Sequence, residues 1–275
     1  MNETIYYPQD ELTTMLLPVT HGCPHNKCSF CSMYKDDKYS LVPLSDIEFQ
    51  LMHGYEYTEK LFLTGADPLS AGFERIEKIL LLIKKHLPYC ARTACYASCR
   101  SVLKLSEQQL SYLHDLGLRL LYIGFESGDD EILKSINKGS SLNDAMAVGK
   151  RLNEIHLPFN SIIMYGIGGS DNFYNHAINT AKMLSSFKSQ KIITMNLTVF
   201  DNTPLSEKVR SGEFVEQSNF QKLSELKLIL EHLRLEDETV FDTTHPTNII
   251  KIKGTVPKEL PRLLRCIDES LNLKR

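Results

Sequence analysis

The sequence contains no apolar run near the roughly 18–20 residues that cross a bilayer, which excludes a membrane-spanning helix. Its first residues, MNETIYYPQDEL, lack the basic and then apolar layout of a secretory signal, so we expect a cytosolic protein. Neither charge dominates: 31 Lys and Arg stand against 34 Asp and Glu, a formal net charge of −3. This balance gives no general attraction to nucleic acid or to anionic membranes.

Gly/Ser-rich linkers, low-complexity tracts and repeats of fixed period are also absent. The 275 residues are 42% apolar and 24% charged, which is ample for one large core. An alternating pattern continues to about residue 230 and then loosens. We therefore expect a core domain over residues 1–230 and a small C-terminal cap or lid over residues 231–275.

Short β-branched or apolar runs alternate with amphipathic, helix-like segments in the core. The predicted strands are TMLLPVT, KLFLTG, RTACYA, LRLLYIGF, FNSIIMYGI and KIITMNLTVF. Because parallel neighbours need a long crossover, usually a helix, this order predicts an α/β fold built on a partial, TIM-like (β/α)6 parallel barrel. In such barrels the chemistry lies in the loops that follow the strands.

Helix boundaries are suggested by residues that cap the first turn. Ser45 with Glu48 and Ser106 with Gln109 have the spacing of capping boxes. The long stretch after the fourth strand is predicted to form two helices, broken at residues 138–140.

The seven cysteines are an odd number, and three of them share one loop in the pattern CxxxxCxxC: Cys23, Cys28 and Cys31. Thiols stay reduced in the cytosol, so this spacing favours a metal site or catalysis over disulfides. Thiolates suit zinc and iron–sulfur clusters. A structural zinc site needs a fourth ligand, which His21 or His25 would have to supply.

A four-iron cluster has one iron at each corner, so three cysteines leave one iron open to a small molecule. At this point the loop resembles the radical S-adenosylmethionine (radical SAM) superfamily. That superfamily usually spaces its cysteines three and two residues apart, with an aromatic residue before the last. Here the first gap is four residues, and Phe30 keeps the aromatic position before Cys31.

Four further segments occur in the order of the superfamily. LTGADPLS resembles its Gly-Gly-Glu-type segment, and LYIGFESGDDEILKSINKG is similar to the group that includes Elp3, MiaB and NifB. SIIMYGIGG resembles the superfamily's fifth-strand glycine segment, and NLTVFDNTPLSEKVRSGEF resembles its segment after the sixth strand. The resemblance implies that S-adenosyl-L-methionine (SAM) is contacted by Phe30, Gly65, Ala66, Asp67, Glu126, Ser127, Ser161, Gly166, Ile167, Val199 and Phe200.

Within that set, each segment is matched to one part of SAM. Residues 65–67 correspond to contacts with the methionine amino group, with Asp67 in place of the longer acid. Glu126 and Ser127 correspond to the methionine or ribose part, and Ser161 to ribose. Residues 166–167 and 199–200 correspond to the adenine.

The resemblance implies reductive cleavage of SAM at an oxygen-sensitive 4Fe-4S cluster, giving a 5′-deoxyadenosyl radical that takes hydrogen from a substrate. A small-molecule substrate and a reducing partner such as flavodoxin or ferredoxin are expected. The candidate substrate contacts lie after the third strand and in the cap: Tyr96, Arg100, His245, Asn248 and Lys253.

Two other functions stay open. A tRNA-modifying member is suggested by residues 251–275, which carry seven Lys or Arg against three acids. A non-catalytic iron–sulfur or electron-transfer protein is suggested by Asp67 in place of Glu. Cys90, Cys95 and Cys99 allow a second cluster, although buried cysteine commonly serves as a small core residue.

Overall fold

The computed structural model describes residues 5–273. Its strands are β1 (Met15–Pro18), β2 (Thr20–His21), β3 (Ser40–Leu41), β4 (Lys60–Thr64), β5 (Arg92–Ala97), β6 (Leu118–Glu126), β7 (Phe159–Tyr165), β8 (Lys191–Asn196), β9 (Thr239–Asp242) and β10 (Lys253–Val256). Its α-helices are α1 (Leu44–Met52), α2 (Phe73–His86), α3 (Cys99–Lys104), α4 (Glu107–Leu116), α5 (Asp130–Ser135), α6 (Leu142–Glu154), α7 (Gly169–Leu184), α8 (Pro204–Ser211), α9 (Asn219–His232) and α10 (Leu260–Asn272).

The main sheet has eight strands in the order β1-β4-β5-β6-β7-β8-β9-β10, and β2 pairs separately with β3. The pairs β1–β4, β4–β5, β5–β6, β7–β8 and β8–β9 are parallel, whereas β10 runs antiparallel to β9. All six predicted strands are present, each followed by helix before the next. The predicted parallel α/β order is therefore confirmed.

The chain divides into two compact units. The first runs to Asn26 and adds Tyr34–Ile123 and Arg151–Phe159, and the second contains Lys27–Met33, Gly124–Lys150 and the chain from Asn160 onward. In the first unit, strand and helix residues such as Leu61, Phe62 and Ile79 are fully buried. A continuous apolar run on β4 and the apolar face of the amphipathic helix α2 produce this core.

A buried carboxylate ties the N-terminal segment to the first unit. Glu11 is fully buried in a short 3-10 helix, and its carboxylate accepts hydrogen bonds from Thr14 Oγ1 at 2.7 Å and Tyr122 Oη at 2.7 Å. Arg92 Nη2 completes the site with an ion pair at 2.5 Å. The buried charge is thus paired and hydrogen-bonded, as burial requires.

The second unit has a core cluster whose members come from α5, the ends of β7 and β8 and the start of α8: Ile132, Leu133, Ile136, Met164, Ile167, Leu197 and Leu205. Phe30, Val199 and Phe214 pack against this cluster. Three residues expected at a cofactor site, Phe30, Ile167 and Val199, therefore belong to one apolar cluster.

The capping predictions had different outcomes. Ser106 and Gln109 form a capping box at α4, as predicted. The prediction for Ser45 and Glu48 is wrong, because α1 begins at Leu44 directly after Pro43, whose fixed φ suits the start of a helix. Glu48 instead accepts from two side chains of α2, Lys85 at 2.8 Å and His86 at 2.9 Å.

One further boundary agrees with the sequence. The stretch after β6 forms α5 and α6, with the predicted break between them. Beyond residue 230 the chain supplies β9, which is parallel to β8, then β10 and α10. Within residues 5–273, no helix combines the length and the apolar character that crossing a bilayer requires.

Candidate functional site

The cysteine loop begins with a turn in the first unit. Gly22 has φ +63, and a side-chain carbon there would lie 3.0 Å from backbone atoms of residues 37–39. Asn26, also at positive φ, donates its backbone N–H to Cys23 Sγ at 3.3 Å and its side-chain amide to Tyr34 O at 2.6 Å. The turn therefore aims a backbone donor at the first sulfur, an arrangement that stabilises a thiolate.

The other two cysteines lie in the segment 27–33, within the second unit. Ser29 anchors this segment at both backbone groups: its N–H donates to Ile136 O at 2.8 Å, and its carbonyl accepts from Leu205 N at 2.9 Å. Cys28 and Cys31 are half-buried on either side of this anchor. The backbone that carries both thiols is thus held by neighbouring elements.

The glycine after β4 approaches the backbone of residue 20 closely. Gly65 has φ +132, and a side-chain carbon there would collide with Thr20 Oγ1. That hydroxyl is buried and has no hydrogen-bond partner in the part of the chain that the structure describes. Only glycine fits this position, and an unsatisfied polar atom lies beside it.

The carboxylate of Asp67 is hydrogen-bonded to the N-terminal end of α3. Its carboxylate accepts from Ser98 Oγ at 2.6 Å and from Ser101 Oγ at 2.8 Å, while those two serines form the capping box of α3. Burial raises the pKa of Asp67, and the bonds from both serines oppose the rise. The side chain fixes the loop after β4 to α3, which leaves the backbone of residues 65 and 66 as the groups available to a ligand.

Glu126, at the carboxyl end of β6, has the left-handed backbone angle φ +65. Its Oε1 accepts from Lys138 Nζ at 2.8 Å, whereas Oε2 is buried and unpartnered among the described residues. A side-chain carbon on Gly124 would lie 2.5 Å from Glu126 Oε1, so this carboxylate fills the space beside that glycine. Strain of this kind in a non-glycine residue is concentrated at functional sites.

Other predicted SAM contacts lie in the second unit. Ser127 is buried, and its Oγ accepts from Asp129 N at 3.0 Å. Gly166, at φ +89, directly follows β7, and Ile167 is buried beside it. Ser161 lies in the first half of β7, where its hydroxyl pairs with Ser189 Oγ at 2.6 Å. Phe200 is exposed.

Ser161 is the predicted contact whose surroundings suit SAM least. Its hydroxyl is buried and paired, and it lies several residues before the carboxyl end of its strand. Its hydroxyl is therefore committed to Ser189 and is not proposed as a SAM ligand.

The predicted substrate residues fall into two groups. Tyr96 stacks edge-on against Phe62, with ring centroids 5.3 Å apart, and burial raises the pKa of its hydroxyl. Arg100 is half-buried in the first turn of α3. Asn248 donates to the carbonyls of Thr194 at 2.7 Å and Thr243 at 2.8 Å, so its amide group braces the β9–β10 connection.

His245 and Lys253 belong to the same connection. His245 Nδ1 lies 2.8 Å from Thr247 Oγ1, and burial lowers the pKa of the imidazole, with the charge of Lys251 adding to the shift. Lys253 Nζ pairs with Asp242 Oδ2 at 3.1 Å. Both side chains are tied locally and remain within reach of solvent.

All seven cysteines lie outside disulfides. Cys95 on β5 and Cys99 in α3 are buried, and burial raises the pKa of the Cys95 thiol well above its ordinary value. Among residues 5–273, no three His, Cys, Asp or Glu side chains gather closely enough to hold a single metal ion.

A thiol loop follows β2, a glycine turn follows β4 and a strained carboxylate ends β6, each at the carboxyl end of its strand, which is where α/β proteins of this class carry their functional groups. The family model described as the radical SAM superfamily matches residues 17–180, and the chain belongs to that superfamily. The superfamily uses a 4Fe-4S cluster and SAM, so the predicted cofactors are confirmed at that level.

Individual proteins resemble this chain at low sequence identity. The heme chaperone HemW of Bacillus subtilis is 24% identical over 188 residues, which cover 67% of this chain and 50% of that protein. Coproporphyrinogen III oxidase (HemN) of Escherichia coli has a TM-score of 0.63 at 16% identity, over 79% of this chain and 51% of that one. Elp3 of Methanocaldococcus infernus has a TM-score of 0.53 at 17% identity, over 78% and 54%.

The chain therefore spans about half the length of each of these three proteins. The two structural likenesses establish the fold, a TIM-like partial barrel.

The residues present fit the superfamily's cofactors. Three thiols share one loop, and Cys23 Sγ accepts a backbone N–H, which suits iron ligation. Buried polar atoms without partners in the described chain, Thr20 Oγ1 and Glu126 Oε2, lie beside the ends of β4 and β6. Such atoms are expected where a polar ligand completes the hydrogen bonding.

Sequence reasoning missed one element of this region. The backbone of Gly166 is bonded to Glu225, a fully buried acid on α9 that no local motif identifies.

Proposed function

We propose that the chain is a radical SAM enzyme that holds a 4Fe-4S cluster on Cys23, Cys28 and Cys31. When bound, the reduced cluster supplies the electron that splits SAM into methionine and a 5′-deoxyadenosyl radical, which takes a hydrogen atom from the substrate. The observation that carries the proposal is the three-thiol loop with a backbone donor 3.3 Å from Cys23 Sγ.

Orientation of SAM falls to the strand ends. The backbone of Gly65 and Ala66 would hold the methionine amino group, and Asp67 would keep that loop in place through Ser98 and Ser101. The buried Oε2 of Glu126 is available to accept one hydrogen bond from SAM, since Lys138 occupies only Oε1.

The adenine end would rest on the second unit. Phe30 and Val199 pack against the apolar cluster that contains Ile167, which offers an apolar surface for a purine. Gly166 presents backbone without a side chain, and Phe200 directly follows Val199. Ser127, next to Glu126, would contact the methionine or ribose part instead. An apolar surround also excludes water from a reactive carbon radical.

A small-molecule substrate remains our preferred partner. We propose that Tyr96 and Arg100, with His245, Asn248 and Lys253 of the C-terminal cap or lid, residues 231–275, contact it. Flavodoxin or ferredoxin in the cytosol would supply the electron.

Cleavage of SAM is tested under anaerobic conditions. The protein is reconstituted with iron and sulfide, given SAM and dithionite, and assayed by mass spectrometry for 5′-deoxyadenosine and methionine. Equal amounts of the two, dependent on the three cysteines, are expected. A protein that forms the cluster and binds SAM but releases neither product with any candidate substrate would overturn the enzymatic assignment.

A second candidate is a non-catalytic member that handles heme, which the likeness to the heme chaperone HemW favours. Titration with hemin distinguishes the two. Stoichiometric heme binding without production of 5′-deoxyadenosine would support the second candidate, whereas product formation without heme binding would support the first.

A further inference from the structure

The turn that follows β7, residues 166–170, is held almost entirely by one distant segment. Residues 215–225, which form the connection before α9 and its first two turns, supply the partner in each of four hydrogen bonds to this turn. The bonds are Gly166 N to Glu225 Oε2 at 3.2 Å, Gln217 Nε2 to Gly169 O at 3.2 Å, Ser170 N to Val215 O at 2.9 Å and Gln221 Nε2 to Ser170 O at 3.3 Å. Two N–H groups and two carbonyls of the turn are thereby fixed.

Glu225 is the central residue of this arrangement. It is 0% exposed and is surrounded by donors: His176 Nδ1 at 2.5 Å, Gln217 Nε2 at 2.5 Å and the N–H of Gly166. Since a buried carboxylate is stable only when its oxygens are satisfied, these partners fix its orientation. The carboxylate in turn fixes the direction of the Gly166 N–H.

The same helix packs directly on Gly166. At φ +89, a side-chain carbon on Gly166 would lie 3.3 Å from Lys222 Cε and 3.3 Å from Leu197 Cβ. Lys222 and Glu225 are three residues apart and so share one face of α9. Helix α9 therefore limits both the position of Gly166 and the orientation of its peptide group.

We propose that Glu225 is a positioning residue for the adenosyl part of SAM, acting through the backbone of Gly166 and Ile167. The inference rests on the proposed function, which places these two residues along the adenine. Backbone groups that contact a purine have no rotamers with which to adjust, so their geometry must be set in advance by the surrounding structure. Glu225 sets it, with Gln217 and His176 holding the carboxylate.

The test measures ligand binding to the full-length, cluster-reconstituted protein by equilibrium dialysis under anaerobic conditions. Two ligands are compared: SAM, which carries the adenosyl group, and methionine, which carries only the part that chelates iron. Glu225→Leu removes the acceptor of the Gly166 N–H. We expect it to weaken SAM binding by about five- to tenfold, the effect of one lost hydrogen bond, and to leave methionine binding unchanged.

Two further variants keep the test decisive if Glu225→Leu does not fold. Glu225→Gln keeps an oxygen for Gly166 and offers its NH₂ to the other tautomer of His176, so SAM affinity should stay within about twofold of wild type. Gln217→Met leaves Glu225 in place but removes one of its donors and the bond to Gly169. It should weaken SAM binding by about two- to fivefold without affecting methionine binding.

Glu11→Gln is the matched control, because Glu11 is also a fully buried, hydrogen-bonded carboxylate but has no bond to the turn. It should lower thermal stability without changing affinity for either ligand. Equal SAM affinity in wild type, Glu225→Leu and Gln217→Met would overturn the inference, as would a parallel loss of methionine binding. A wild-type protein that forms no cluster and binds no SAM would instead overturn the proposed function itself.

Discussion

Lys138 Nζ lies 2.8 Å from Glu126 Oε1, while the other oxygen of the same carboxylate is buried and unpartnered among the described residues. A buried carboxylate oxygen without a donor is costly, and so is the left-handed backbone of Glu126 at φ +65. Two costs at one residue, at the end of a strand, are the pattern expected of a group reserved for a ligand.

Comparison of Glu126→Gly with Glu126→Ala separates the effect of the carboxylate on SAM binding from the effect of the left-handed backbone on stability. Both variants remove the carboxylate and should weaken SAM binding by at least about tenfold. Glycine accepts a positive φ freely, so Glu126→Gly should be more stable than Glu126→Ala by about 1 kcal/mol. Dialysis gives the affinity, and denaturant unfolding of the same preparations gives the stability.

Lys138→Met serves as the control for the ion pair, since it keeps the carboxylate and removes only the partner of Oε1. SAM binding that is lost in Lys138→Met but retained in Glu126→Gly would show that the lysine, and not the carboxylate, recognises the ligand.

The cysteine loop makes a prediction about iron content. Replacing Cys23, Cys28 or Cys31 singly with Ala should abolish the 4Fe-4S cluster, because each thiolate is proposed to ligate a different iron. Chemical iron and sulfide analysis, with the visible absorbance of the anaerobically reconstituted protein, measures the loss. Cys266→Ala, in α10, is the control and should retain the cluster.

One result would contradict this assignment. If a protein that lacks all three of these thiols still binds four irons per chain, other side chains ligate the cluster, and Cys90, Cys95 and Cys99 are the next candidates.

Much of the fold could be predicted from local pattern. The runs KLFLTG and RTACYA became β4 and β5 because alternating or continuous apolar side chains suit a sheet buried under helices. The break between α5 and α6 followed from Gly139, which takes φ +74. These signals are contained within a few neighbouring residues.

The features that the sequence did not predict depend on contacts between residues that are far apart in the chain. Glu225 meets His176 and Gly166, which are 49 and 59 residues away in sequence, so no spacing rule identifies the group. The capping box predicted at Ser45 and Glu48 failed for a similar reason, because Glu48 is hydrogen-bonded to Lys85 and His86 on another helix. The strained φ of Glu126 is likewise invisible in a sequence that shows only an acid after a strand.

Asp67 gives a test of the loop after β4. Asp67→Ala removes the acceptor shared by Ser98 and Ser101 and should lower the free energy of unfolding by about 1–3 kcal/mol. Asp67→Asn keeps one oxygen for these hydroxyls and avoids burying a charge, so its loss should be smaller. Denaturant unfolding ranks the two. An alanine variant as stable as wild type would show that the carboxylate does not hold the loop.

Asp242 makes a prediction about pH. Burial raises the pKa of this carboxyl, but hydrogen bonds from Thr244 and Lys253, together with the charge of Lys253, outweigh that effect and leave the pKa below its ordinary 3.8. A carboxyl with a lowered pKa in the folded state stabilises the protein above the ordinary pKa. That contribution is lost as the pH falls through the folded-state value.

Asp242→Asn should therefore lower the free energy of unfolding by about 1–2 kcal/mol at pH 7, and the gap from wild type should close below about pH 4. Asp237→Asn is the matched control: its pair with Lys188, at 3.0 Å, is more than half exposed on both sides and should contribute little at any pH. Denaturant unfolding at pH 7, 5, 4 and 3 follows both variants. A gap for Asp242→Asn that stays constant across this range would show that the amide disrupts packing, and that the charge of Asp242 is not what stabilises the β9–β10 hairpin.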